Sequence, residues 1–266
     1  MMLNVQKIDF IVRQYSIHYN IQRSFNMTRM IPGNIMVFDV ETTGLIPNVP
    51  LSHQTIDSYP YIIQLSYIVY NTRRHTINQS QNMHIRIPSS VTLSEKITQL
   101  TGITREKCNT GVPILSALQQ FASDYFTCEW VVSHNMKFDS VMVRAETVRH
   151  ADILVDNSLA HLTNLFDDTI KIPKKFCTMM SGIDICNIKA TSKKGTSYKK
   201  WPRLVELYNT LFPGEIIPDG LHNAYIDTLV CLRCYLKMNT KEMSKDKFHS
   251  LCGIKLSPED EEKTTC

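Results

Sequence analysis

The chain has 266 residues, 43% of them hydrophobic and 20% charged, with a mean hydropathy of −0.17 and a formal net charge of +4. That size holds one good-sized domain, or one domain with an appended arm, and the composition is ordinary for a globular protein in water. No apolar run approaches the roughly 20 residues of a membrane helix, and eight cysteines with neither an even small-domain framework nor a secretory signal point to a reducing, intracellular compartment, cytoplasmic or nuclear ahead of organellar.

Residues 1–30 show no clear periodicity and carry Lys7, Arg13, Arg23 and Arg29 against Asp9. They read as an N-terminal extension, poorly ordered, with a transit peptide as the alternative. A globular domain is expected over 31–240 and a polar C-terminal tail over 241–266. The apolar run Ile35–Phe38 predicts a strand over 34–40 that delivers Asp39 and Glu41 and then turns at Gly44. Residues two apart on a strand share a face, so the two carboxylates lie side by side. Like charges so placed repel, and a hard divalent cation relieves them. A solvated strand end carrying two acids is the alternative.

A proline-bearing loop (46–60) leads to strands over 61–70 and 81–87, joined by the polar turn Asn71–Arg74. Helices are expected over 92–100 and 113–126, the latter opened by Pro113. A strand over 129–133 ends in the polar turn around His134 and Asn135, and a helix over 138–149 follows. Asp139 falls at the start of that helix, where a carboxylate also suits the helix dipole.

From Lys171 to Arg203 stand nine Lys/Arg against Asp184, a net of +8 that leaves the remainder at about −4. Clustered cations imply a polyanionic partner; a solvated basic loop is the alternative. Helices are then expected over 202–211 and 223–238. Asp227 is an acid among apolar residues, costly unless paired or metal-bound. Asn223 suits an N-cap, which places His222 in the loop just outside the helix, from where its imidazole can swing over the site Asp227 faces. Cys231 and Cys234 form a lone Cys-x-x-Cys in a helical run, read as buried helix cysteines ahead of a zinc pair. Strands followed by helix–strand–helix alternation predict an α/β fold, a mixed β-sheet flanked by helices.

Three elements in order, Asp39-Val40-Glu41-Thr42-Thr43-Gly44-Leu45, His134-Asn135-Met136-Lys137-Phe138-Asp139 and His222-Asn223-Ala224-Tyr225-Ile226-Asp227, resemble the DEDDh 3′–5′ exonucleases. This is the RNase H-like group of the proofreading epsilon subunit of bacterial DNA polymerase III. Leu100–Thr104, Phe176–Met179 and Leu204–Tyr208 resemble secondary motifs of the same family, and the likeness covers about Ile35 to Met238. The resemblance implies that Asp39, Glu41, Asp139 and Asp227 are the metal-binding acids and His222 the general base. It implies two Mg²⁺ ions about 3.5–4 Å apart, with Mn²⁺ as substitute. One would sit among Asp39, Glu41 and Asp227, the other largely on Asp39 and the phosphate, with Asp139 approaching from the opposite side. An imidazole, with its ordinary pKa of about 6.5, suits proton abstraction near neutrality.

By the same resemblance, Thr42, Thr43, Gly44 and Leu45 would hold the terminal nucleotide, their backbone N–H groups on the sugar or base and Leu45 as a wedge. Leu45 as ordinary core is the alternative. His134, Asn135 and Phe138 would line the neighbouring wall. From its own charge, and not from the resemblance, the basic 171–203 segment is expected to track phosphates, with Tyr198 and Trp201 available for stacking. The implied reaction removes 5′-mononucleotides from a single-stranded or frayed 3′ end. The Thr-Thr-Gly-Leu wording leans toward the DNA proofreading and repair branch; an exoribonuclease is the rival, and a non-catalytic nucleic-acid- or polymerase-binding subunit a third reading. The sequence shows no polymerase module, so proofreading would act in trans.

Overall fold

The computed structural model describes residues 33–239 and 243–253. The expected N-terminal extension, 1–30, lies outside the described residues, as do 240–242 and 254–266 of the expected tail. Six strands form one mixed sheet in the order β4-β3-β2-β1-β5-β6. They are β1 (Asn34–Thr42), β2 (Ile62–Asn71), β3 (Thr76–Arg86), β4 (Val112–Pro113), β5 (Trp130–Ser133) and β6 (Lys174–Cys177). β1, β2 and β3 pair antiparallel, whereas β5 runs parallel to β1, and β6 to β5.

The helices are α1 (Glu95–Thr101), α2 (Arg105–Thr110), α3 (Ile114–Tyr125), α4 (Met136–Arg149), α5 (Ala151–Asp156), α6 (Thr178–Ser181), α7 (Ile183–Cys186), α8 (Leu204–Leu211), α9 (Ala224–Asn239) and α10 (Lys245–Cys252). They cover both faces of the sheet, which is why Ile35–Phe38 is a continuous, fully buried run. Met36, Phe38 and Val40 pack toward α3 and α4, and Ile35 and Val37 toward α8 and α9. Full burial of each large side chain contributes about 1.5–3 kcal/mol. Asp39 and Glu41 continue the Ile35–Val37 face past the end of that core. The sheet thus delivers two acids under α9. Among the described residues no helix is long and apolar enough to cross a membrane.

Three expectations change. β3 begins at Thr76, well before the expected residue 81, because its polar run Asn78–Asn82 pairs with β2 through backbone bonds that need no apolar alternation. The basic segment is not a plain loop: β7 (Lys189–Thr191) and β8 (Ser197–Lys199) form an antiparallel hairpin. Within the expected polar tail, α10 is a packed helix. Its Phe248 is wholly buried and meets Tyr208 at 5.8 Å between ring centroids. The buried Arg233 guanidinium lies 4.6 Å from the Phe248 ring and donates to Glu215 at 2.7 Å.

Candidate active site

Asp39 and Glu41 come from the end of β1 and Asp227 from the first turn of α9. One carboxylate oxygen from each lies within 4.8 Å of the other two, and all three residues are half-buried. Asp139, in the first turn of α4, is 2% exposed. The Ser133 hydroxyl donates to its Oδ2 at 2.6 Å, and it also accepts a backbone bond from Val40, the residue between the two β1 acids. β5 stops pairing with β1 at Val37, so that ladder does not take the Val40 N–H, which goes to Asp139 on α4 instead.

Burial raises the pKa of all four acids, and repulsion from neighbouring carboxylates adds to it for Asp39, Glu41 and Asp139. Burial first, then Asp139, Asp227 and Glu41, hold Asp39 well above the ordinary carboxylate range. Burial, then Asp227 and Asp139, push Glu41 up to about 8. Burial lifts Asp139 to about 7 against the opposing Ser133 bond, and Asp227 to about 6 against the bond from the His222 backbone. A set of hard oxygen donors that repel one another fits a divalent cation. Among the described residues, no group including Cys231 or Cys234 has metal-binding geometry; both thiols are free and buried.

Gln64 ties α9 to the sheet. It sits opposite Glu41 in the β1–β2 register and is completely buried. Its Oε1 accepts the Ala224 N–H at 3.2 Å, and its Nε2 donates to Asn82 at 2.7 Å and to Asn223 at 3.3 Å. Asn223 caps the helix as expected, accepting the Tyr225 N–H at 3.0 Å on its side chain. His222 lies just outside, exposed, with φ +70°. That left-handed turn points its backbone N–H back to Asp227 Oδ2 at 3.2 Å. The hydrogen bond to Asp227 comes from the backbone, and the imidazole lies near enough to act on that carboxyl through its charge. The signal for Gln64 is an amide inside the apolar run Tyr61–Leu65.

The loop after Glu41 is held from the side. Thr43 N–H donates to the Tyr61 carbonyl at 2.9 Å, and Tyr61 N–H to Thr43 Oγ1 at 3.0 Å. Thr42 is buried, with its hydroxyl on the Gly44 carbonyl at 2.6 Å. The Thr43 amide is therefore already committed, while those of Gly44 and Leu45 have no partner among the described residues. A Cβ at Gly44 would meet only Pro60 at an ordinary 3.8 Å, so internal packing does not demand glycine there. Leu45 is 84% exposed, which removes the core reading. It borders an open depression of about 450 Å³ lined also by Tyr59, Pro60, Tyr61 and Val91.

The expected wall is only partly available to a ligand. His134 Nε2 faces the Pro202 carbonyl at 3.1 Å, and its Nδ1 faces the Thr178 hydroxyl at 2.9 Å. Burial lowers its pKa to about 4, so the ring is neutral and both nitrogens are engaged. Phe138 packs half-buried against the core. Asn135, with φ +77°, keeps its side-chain amide without a partner among the described residues.

A second pair, missed in the sequence, braces this loop from α4. Arg149 Nη2 donates to the carbonyls of Tyr59 at 2.9 Å and Pro60 at 3.0 Å, with the guanidinium 3.8 Å over the Tyr61 ring. Glu146 Oε1 pairs with Arg149 at 2.7 Å and accepts the Ile62 N–H at 3.0 Å.

The fold has several relatives of known structure. E. coli exonuclease I in complex with a dA16 oligonucleotide is similar at TM-score 0.51 and 11% identity, over 82% of this chain and 42% of that one. A 3′-exonuclease described in 3′-end specific recognition of a histone mRNA stem-loop gives 0.53 at 14% identity, over 79% of this chain and 82% of that one. Cell-death related nuclease 4 gives 0.50 at 15%, over 77% and 63%. This chain thus spans less than half the length of exonuclease I. No curated protein matches it significantly by sequence. The RNase_T family model, described as exonuclease, matches residues 36–235. Because that match runs from within β1 to within α9 and takes in all four acids, the chain belongs to the RNase_T exonuclease family.

Proposed function

We propose that this chain is a Mg²⁺-dependent 3′–5′ exonuclease that releases 5′-mononucleotides, with DNA as the preferred substrate. The observation that carries the proposal is the convergence of Asp39, Glu41 and Asp227, from two separate elements, to within 4.8 Å. In this reading those three would hold one ion and Asp39 with Asp139 would serve a second; Mn²⁺ would substitute. When bound, the ions would lower the pKa of water and stabilise charge on the departing oxygen.

The chain's own residues do the rest. Exposed His222, held beside Asp227 by its backbone bond, accepts the proton of the attacking water. The amides of Gly44 and Leu45 hold the terminal nucleotide, and the exposed Leu45 side chain separates it from its neighbour. Gly44 leaves room for the nucleotide, and Asn135 offers its amide. His134 acts through Pro202 and Thr178, as a brace. The preference for DNA rests on the Thr42–Leu45 wording. Its setting is proofreading or repair beside a polymerase acting in trans, in the cytoplasm or nucleus.

The test compares matched DNA and RNA oligonucleotides, with and without a 3′ mismatch, in Mg²⁺, in Mn²⁺ and in EDTA. Stepwise shortening of 5′-labelled DNA, with mononucleotide product and EDTA inhibition, is expected. Internal cuts, or hydrolysis that survives EDTA and Asp227→Asn, would overturn the assignment. Faster RNA shortening would move the chain to the exoribonuclease reading.

A further inference from the structure

The basic segment divides once its ion pairs are drawn. Lys175, Lys199 and Lys200 each reach a carboxylate at 2.7 Å, on Asp168, Asp184 and Glu206 respectively. Arg203 shares Glu206 at 3.2 Å, and Lys174 lies 5.4 Å over the Trp130 ring. Lys189, Lys193 and Lys194, on the β7–β8 hairpin and its turn, are exposed and make no ion pair among the described residues. Tyr198 on β8 is 51% exposed, and Trp201 just beyond it 62%. Ammonium groups left unneutralised beside exposed rings match an unpaired nucleic-acid strand, whose phosphates take the cations and whose base faces take the rings.

The base of the hairpin is fixed to the acid cluster. The Lys200 N–H closes the hairpin on the Ile188 carbonyl at 2.9 Å. Pro202, adjacent to Trp201, is buried and accepts from His134 Nε2 at 3.1 Å. Ser133, adjacent to His134, donates to Asp139 at 2.6 Å. A short run of bonds therefore joins the Trp201 position to the fourth acid. Four crowded carboxylates repel a polyanion, and a cationic arm rooted beside them offsets that repulsion.

We propose that the β7–β8 hairpin and Trp201 form a binding arm for the single strand lying 5′ of the nucleotide being removed; this rests on the exonuclease reading above. The arm supplies affinity that grows with strand length, while the β1 loop holds only the end.

The experiment uses the full chain. Binding of a fluorescent single-stranded 15-mer is followed against salt in the Asp227→Asn background, where the strand stays uncut. Adding Lys189→Ala, Lys193→Ala and Lys194→Ala together should reduce the slope of log K against log salt by about 2, at roughly 0.7 per phosphate contact. Trp201→Ala should weaken binding about tenfold, within the range of one lost stack. With Asp227 intact, the loss of kcat/KM on the 15-mer should exceed the loss on a dinucleotide by about tenfold. An unchanged slope and affinity, or equal losses on both substrates, would overturn the arm. Should Trp201→Ala fail to fold, the three exposed lysines decide. Binding that behaves as expected without any hydrolysis by the parent protein sinks the exonuclease reading and leaves the arm. Hydrolysis with indifferent variants does the reverse.

Discussion

The side-chain oxygen of Gln64 accepts the backbone N–H of Ala224 at 3.2 Å, so a residue of β2 fixes the first turn of α9. The same turn carries Asp227 and follows His222, and Gln64 lies opposite Glu41. Gln64→Leu strands a buried N–H and loosens the seat of two site residues. It should cost about 1–3 kcal/mol in urea unfolding, the penalty of an unmet buried group. It should also lower kcat several-fold, since no other side chain takes up the Ala224 N–H. An unchanged kcat in Gln64→Leu would remove Gln64 from the geometry of the site.

The four acids predict an inverted pH dependence of stability in metal-free protein. Their folded pKa values are raised, so the folded state holds more protons than the unfolded one between the ordinary carboxylate range near 4 and about 8. Their contribution is complete at the acid end and is lost as pH climbs through that window. In EDTA, Asp227→Asn should therefore gain Tm over the parent at pH 8 and little at pH 4. Mg²⁺ should raise the parent's Tm more at pH 8 than at pH 5. Calorimetry across pH, with and without the ion, checks both.

His222→Ala should lower kcat by about 10²–10⁴, the usual contribution of general acid–base catalysis, with oligonucleotide affinity within threefold. Its backbone bond to Asp227 survives the substitution, so the acid cluster stays in place. A variant retaining full kcat would leave the proton to another group.

Arg149→Lys keeps the charge but loses the flat fork that spans the Tyr59 and Pro60 carbonyls. The segment beneath Thr43 and Leu45 should slacken. KM for oligonucleotides should rise several-fold while kcat holds, because the acids are untouched. A fall in kcat at constant KM would place the effect at the reacting centre instead. Steady-state kinetics separate the two.

The acids are legible in the sequence because each interrupts a run that predicts its own element. Asp39 and Glu41 end an apolar strand, Asp139 opens a helix after a strand, and Asp227 sits among apolar residues. Their convergence is not written in any one segment and came only through the resemblance. The brace residues are harder to see. Glu146 and Arg149 read locally as an ordinary helix-surface pair, and only the fold brings Tyr59–Ile62 against them. β3 escaped in part because a polar strand has no apolar alternation. The helix at 245–252 escaped because it hides one aromatic, Phe248, behind mostly polar residues.

α4 carries Asp139 in its first turn and Glu146 with Arg149 toward its end. Each added residue turns an α-helix by about 100°. A single insertion or deletion between Asp139 and Glu146 would thus keep one anchor and swing the other off its face. Length variation in this enzyme is therefore expected in the turn of the β7–β8 hairpin, where an extra residue displaces no packed neighbour, and forbidden within α4, whose register ties two halves of the molecule together.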